Sequence, residues 1–215
     1  VQSDDFAVQP VSGTCSASHH ADSALTVLGC LQAMGEKCSN AVLEVLGPAR
    51  ALVREQHYPQ RPLRFAGGRW RGYYHSHGRS LQQPREHGHF HLFTGGAGDW
   101  IHVAALGMDS DGQPLRWFAT NRWVTAGPWG ERGELLRAID RLRPSGEPGL
   151  LGAWLAALLG LYRDDIDALL AQRDARLVRH QCRHPDRAAL EDRSLYELAS
   201  SRVQLTRRLQ RTLAS

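Results

Sequence analysis

The stretch Glu86-His87-Gly88-His89-Phe90-His91-Leu92-Phe93 alternates imidazoles with small or apolar side chains. In a β-strand, side chains at i, i+2 and i+4 leave the same face. Read as a strand, the segment puts His87, His89 and His91 on one face and Gly88, Phe90 and Leu92 on the other, where a core would take them. A helix would scatter both sets, because its faces repeat every three to four residues. The segment therefore predicts a strand with one face in the core and chemistry on the other.

Working outward, Trp70–His77, Trp100–Met108 and Leu115–Thr120 are also short, rich in aromatic or branched residues, and bounded by turn residues. Asp109-Ser-Asp-Gly-Gln-Pro114 carries an Asp-Gly step between two such runs, a hairpin signal. Together they predict an antiparallel sheet of four or five strands over residues 69–125. Upstream, Leu25, Leu28, Leu31 and Met34 recur at spacing three, predicting a helix capped by Asp22 or Ser23. A second helix is expected after Ser39, then an Arg-rich loop containing Pro59 and Pro62. Downstream, helices are expected over Glu134–Leu142, Leu150–Leu159, Asp164–Val178 and Asp186–Leu213, the last striped by Leu195, Leu198, Leu205 and Leu209. The expected class is α+β, a small central antiparallel sheet flanked by N-terminal and C-terminal helices. The expected organisation is a flexible lead-in over 1–21 and a helix-plus-sheet domain with the histidine cluster over 22–130. A C-terminal helical region over 131–215 packs on that domain or extends from it.

With 215 residues, 42% hydrophobic and 22% charged, the chain has the composition of a soluble globular protein rather than a disordered one. Its longest nearly apolar run, Gly149–Tyr162, is too short to span a bilayer. The net charge of +4 arises beyond residue 131, and all but one of the 26 basic residues are Arg. Such a blanket preference reads as genome composition, so a nucleic-acid partner is not expected. No basic segment followed by an apolar stretch opens the chain, although its first residue, Val1, leaves a removed leader open. Cys15, Cys30, Cys38 and Cys182 form no CxxC pair, so reduced thiols and a cytoplasmic location are expected.

Six of the eleven histidines, His75, His77, His87, His89, His91 and His102, fall in one short span. His75 and His77 share strand parity, and pairing their strand with the next brings two imidazole rows ~5 Å apart. Neutral nitrogens converging from neighbouring strands are what transition-metal sites use. These six are the expected metal ligands, not all at once, for a divalent Fe, Zn or Cu ion. Glu86 is expected as a further ligand or as the general base on a metal-bound water. Asn121 would orient a substrate amide or a ligating histidine, and Arg122 would clamp a small anionic substrate through its carboxylate or phosphate. An oxygenase or hydrolase follows from that arrangement, with a non-enzymatic metal carrier or sensor as the alternative.

Two resemblances bear on this reading. His87-Gly-His-Phe-His-Leu-Phe93 is similar to the histidine triad of nucleotide hydrolases and transferases, which implies His89 as a nucleophile on phosphorus and no metal. It departs from that motif at Gly88, where a bulkier apolar residue is usual. A longer match covers Ala49 to Trp129: Tyr73-Tyr-His-Ser-His77, Glu86-His-Gly-His-Phe-His91, the Asp109–Pro114 turn and Thr120-Asn-Arg-Trp-Val-Thr125. These segments resemble an uncharacterised bacterial family marked by YYHxH, EHGHFH and TNRWVT. The resemblance implies that the histidines and the TNRW segment belong to one design, and it carries no activity.

Overall fold

The alternating segment is a strand, and it lies inside a six-stranded antiparallel sheet of order β1-β2-β3-β4-β5-β6. The computed structural model describes residues 13–49, 51–78, 83–96, 98–147 and 149–214, without the side chains of 13–17 and 49. The strands are β1 (Tyr58–Phe65), β2 (Trp70–His75), β3 (Gly88–Gly96), β4 (Asp99–Met108), β5 (Pro114–Thr120) and β6 (Glu197–Arg202). The helices are α1 (Gly13–Glu36), α2 (Ala41–Leu46), α3 (Arg122–Thr125), α4 (Arg132–Asp140), α5 (Leu150–Leu161), α6 (Arg163–Arg183) and α7 (Leu205–Leu213). The class is α+β, with helices on both sides of the sheet in sequence. Among the described residues, no helix is long and apolar enough to cross a membrane.

Both edge strands differ from expectation. β1 occupies what reads as an Arg-rich proline loop; prolines are tolerated on an edge, where a missing N–H faces outward, and the register slips between Tyr58 and Leu63. β6 and α7 replace the single helix expected over Asp186–Leu213. The open edge of β5 takes Glu197–Arg202 as a partner, and those ladder bonds outweigh the weak helix preference of Ser200 and Ser201. α1 reaches back to Gly13, well into the expected lead-in, whose first twelve positions lie outside the described residues. Its buried side is Ala24, Val27, Leu31 and Met34, while Leu25 and Leu28 are 60% and 40% exposed. A strict spacing of three slips ~60° around a helix at each step, so the four residues expected on one face cannot stay together.

One core runs from Ala24 in α1 to Leu209 in α7. Its floor is one face of the sheet: Tyr74, Phe90, Leu92, Leu106, Trp117 and Ala119. α5 lies against it, buried from Leu151 to Leu159, with the Trp154 and Phe90 rings 6.3 Å apart, and α1 packs along its length. Full burial of an aromatic or aliphatic side chain contributes ~1.5–3 kcal/mol each. This floor therefore pins the register of β3, and with it the outward face of His89 and His91.

Gly88 is required where β3 begins. A Cβ there would stand 2.6 Å from the carbonyl oxygen of His75 and 2.8 Å from the Tyr74 phenol, which crosses the strand to reach His87 Nδ1 at 2.9 Å. A backbone carbonyl cannot swing aside as a side-chain tip can. Gly88→Ala should therefore lower stability by ~1–3 kcal/mol, read as a fall in the thermal unfolding midpoint. An unchanged midpoint would show that this close approach is not a constraint.

Candidate metal centre

Across the outer face, strand register makes two rows. One runs His75, His89, Gly107, Arg116 over β2 to β5; the next runs Tyr73, His91, Ala105, Phe118. His75, His89 and His91 are 7%, 2% and 1% exposed, and each offers one ring nitrogen within 4.8 Å of the other two. The Nε2 atoms of His75 and His89 face each other at 2.9 Å. Phe118 stands edge-on to His89 at 5.2 Å and Tyr73 stands edge-on to His75 at 5.5 Å, so rings wall the group on both sides.

Gly107 leaves a vacancy in the first row, and the Glu86 carboxylate fills it. A Cβ on Gly107 would lie 2.9 Å from Glu86 Oε2. His89 Nδ1 donates to Glu86 Oε1 at 2.9 Å and Arg116 Nε donates to Oε2 at 3.0 Å. Arg116 continues to Glu197 at 2.7 Å. Burial raises the Glu86 carboxyl, but the His89 hydrogen bond and the Arg116 charge outweigh it and hold the group below the usual carboxylate range. An ionised acceptor at Nδ1 fixes the His89 tautomer and leaves Nε2 as a lone-pair donor, the arrangement used to orient metal-ligating histidines. Each Glu86 oxygen thus holds one of these donors, which gives the carboxylate the role of orienting His89.

His91 and His102 are set the same way by a bulge. The β3–β4 register shifts between Leu92 and Phe93, so that Phe93 pairs with His102 and Val103 turns into the core. Without that extra residue His102 would face the core alongside Ala104. As it stands, His91 Nδ1 and His102 Nε2 are 2.9 Å apart, and His102 Nδ1 reaches Thr120 Oγ1 at 3.5 Å. His91 Nδ1 is therefore engaged outward, and Nε2 is the nitrogen left for a ligand. Burial pushes His75 down to about 2, with the neighbouring His89 adding to it, and pushes His91 well below the ordinary histidine value. His102 falls to about 3 through burial and the charge of Arg173. All three are neutral imidazoles near pH 7, the protonation state that ligates.

The other expected residues are placed elsewhere. His87 does not share the face of His89: its backbone N–H bonds to Met108 at 2.7 Å, the residue already paired with Gly88, and its ring turns to Tyr74. His77 lies beyond β2 beside the group, its ring 4.5 Å from His75, with Nδ1 on Glu55 at 3.0 Å and Nε2 on the Tyr196 hydroxyl at 3.1 Å. Asn121 is fully buried; it caps α3 by accepting from Arg122 N–H and ties the loop to Ala189 O at 2.9 Å. Arg122 pairs with Glu191, and both Asn121 and Arg122 line a small cavity beside His102 rather than the His75–His89–His91 group. Helix capping and loop anchoring account for both. Cys30, Cys38 and Cys182 are free thiols, and the Cys15 side chain lies outside the described residues.

Sequence reading missed Arg116, Glu55, Tyr196, and His57, whose ring stacks on Tyr73 at 4.1 Å. A signal existed for one of them. The Asp111-Gly112 hairpin brings Leu115–Thr120 back along Trp100–Met108 and so puts Arg116 near Gly107, and the register shift at Gly107 and Met108 sets the final pairing.

A protein-family profile described as a domain of unknown function, DUF6969, matches residues 21–203. The chain belongs to the DUF6969 family. The DUF6969 match contains both imidazole rows, Glu86, Arg116 and the Asn121 loop. No curated protein and no solved structure matches the chain.

Buried neutral histidines make a testable statement about acid. Their folded values lie below the ~6.5 of an unfolded chain, so their contribution is intact above ~6.5 and is lost as pH falls toward the folded values. Each costs up to ~1.4 kcal/mol per pH unit in that window. The metal-free protein should lose thermal stability steadily from pH 6.5 to 5, and His102→Leu should flatten the decline. A midpoint constant from pH 7.5 to 5 would contradict the buried neutral assignment.

Proposed function

We propose that this protein binds one divalent transition-metal ion through His75, His89 and His91 and uses it as an enzyme cofactor, in a hydrolase or an oxygenase. The observation that carries the reading is the convergence of these buried neutral imidazoles, each within 4.8 Å of the others, with His89 held in its ligating tautomer by Glu86. Three protein nitrogens leave a position for water or substrate, the pattern of catalytic rather than structural sites. Bound there, an ion of the Fe, Zn or Cu class supplies Lewis acidity or redox chemistry. The chain itself contributes orientation. Glu86 and His102 hold two rings, Phe118 and Tyr73 pack edge-on against His89 and His75, and the Arg116 guanidinium balances the charge of Glu86.

The non-enzymatic reading, a carrier or sensor, draws support from the burial of His89 and His91 beneath ring walls. The histidine-triad reading draws none. His87 has left the row, and His89 Nε2, the atom that would attack phosphorus, faces His75 at 2.9 Å. With Arg122 paired to Glu191, no cation beside the cluster is assigned to an anionic substrate.

Elemental analysis of tag-free protein should find about one transition-metal ion per chain after reconstitution. His89→Ala should weaken binding by ~10–100-fold, and His75→Ala combined with His89→Ala should nearly abolish it. Binding should also fall as pH drops, because protonated imidazole cannot ligate. Metal-free wild-type protein that stays metal-free in excess Zn²⁺, Fe²⁺ and Cu²⁺ would remove the basis of the proposal.

A further inference from the structure

Resting on that metal reading, we propose that His77 is a fourth ligand held in reserve, its donor nitrogen capped by the hydroxyl of Tyr196 until the ion arrives. The His77 ring lies 4.5 Å from His75 and 5.3 Å from His89. The three assigned ligand rings lie 4.6–5.1 Å from one another, so His77 matches that spacing to His75 and stands just beyond it from His89, at the border of the converging group. Its tautomer is set as that of His89 is set. Nδ1 donates to a carboxylate, here Glu55, at 3.0 and 3.1 Å, which leaves the lone pair on Nε2. That lone pair accepts from the Tyr196 hydroxyl at 3.1 Å.

A purely structural tyrosine–histidine contact would not need the carboxylate behind it. The Glu55 side chain is 65% exposed, so a hydrogen bond there adds little to stability and is better suited to orienting the ring. Electrostatics also favour this side of the cluster for a cation. Glu55 adds a carboxylate behind His77, while the charge of Glu86 behind His89 is balanced by Arg116; on the other side Arg173 lies near His102 and would repel a cation.

The cap can move without disturbing the fold. The Tyr196 carbonyl accepts from Asn121 N–H at 3.0 Å, which fixes its backbone, and its ring stands edge-on to Trp123 at 5.8 Å. Release of His77 needs only rotation of the phenol about its own side-chain bonds. Tyr196 is then a positioning residue, and Trp123 is a built-in reporter of its movement.

The test titrates the full chain with Zn²⁺ alone against a chromophoric chelator while following tryptophan fluorescence. Tyr196→Phe removes a competing hydrogen bond and should bind Zn²⁺ about three- to tenfold more tightly. His77→Ala should bind at least tenfold more weakly, and Glu55→Gln, an exposed change that leaves the core alone, about tenfold more weakly. Zn²⁺ should change the fluorescence of the wild type but not of Trp123→Phe. If Zn²⁺ binds the wild type and Tyr196→Phe and Glu55→Gln leave the affinity unchanged, the reserve-ligand proposal is wrong while the His75–His89–His91 site stands. Weaker binding by Tyr196→Phe would likewise overturn it. If no metal binds the wild type, both readings fall together.

Discussion

The buried Glu86 carboxylate is the constraint on which the site depends. An ionised carboxylate among β-strand side chains is costly unless its charge is paired and its oxygens are bonded. Here Arg116 supplies the charge, His89 and Arg116 supply the donors, and Gly107 supplies the room. The three lie in one register row across β3, β4 and β5. Removing one partner of such a buried pair costs ~3–5 kcal/mol, because the other charge is left uncompensated. A structure that keeps this arrangement for stability alone would do as well with apolar side chains of similar volume. Its direct effect falls on His89, where it holds one nitrogen and presents the other.

The sheet supports this with asymmetric faces. Phe90, Leu92, Leu106 and Trp117 are buried in the same core as α5, so a slip of one residue in β3 would bury imidazoles in the core and turn its aromatics to the other face. The apolar face therefore sets the geometry of the polar one. The same packing lets the outer face carry several neutral imidazoles, whose burial raises the cost of charging them and keeps their lone pairs available near neutral pH.

Much of this was legible in the sequence, and the limits have physical causes. The parity of His89, Phe90, His91 and Leu92 reads directly, because period two is a backbone property that side chains cannot override. Parity fails where the ladder is irregular. His87 leaves the face because it precedes the regular pairing, and His102 joins it only through the bulge at Leu92 and Phe93. Neither irregularity has a local sequence marker. β6 was hidden because Leu195, Leu198, Leu205 and Leu209 fit a helix, and only the free edge of a strand some eighty residues earlier selects the extended form. Glu55 and Tyr196 were invisible for the same reason: they reach the site from segments distant in sequence, and lone residues carry no spacing to read.

The polar partners then sort by where they come from. Those that hold His89 and His91 (Glu86, Arg116 and His102) arise from the sheet and its immediate flank, where strand register places them. Those that hold His77 (Glu55 and Tyr196) arise from the segments before β1 and β6, outside the ladder. A rigid set and an adjustable set around one centre give different mechanical properties to otherwise similar imidazoles. Three imidazoles are placed by the sheet itself, which leaves little ordering to a ligand beyond parting the His75–His89 hydrogen bond. The His77 imidazole sits where a single rotation of the Tyr196 side chain changes what it bonds to, so a change at that ring does not require the sheet to move.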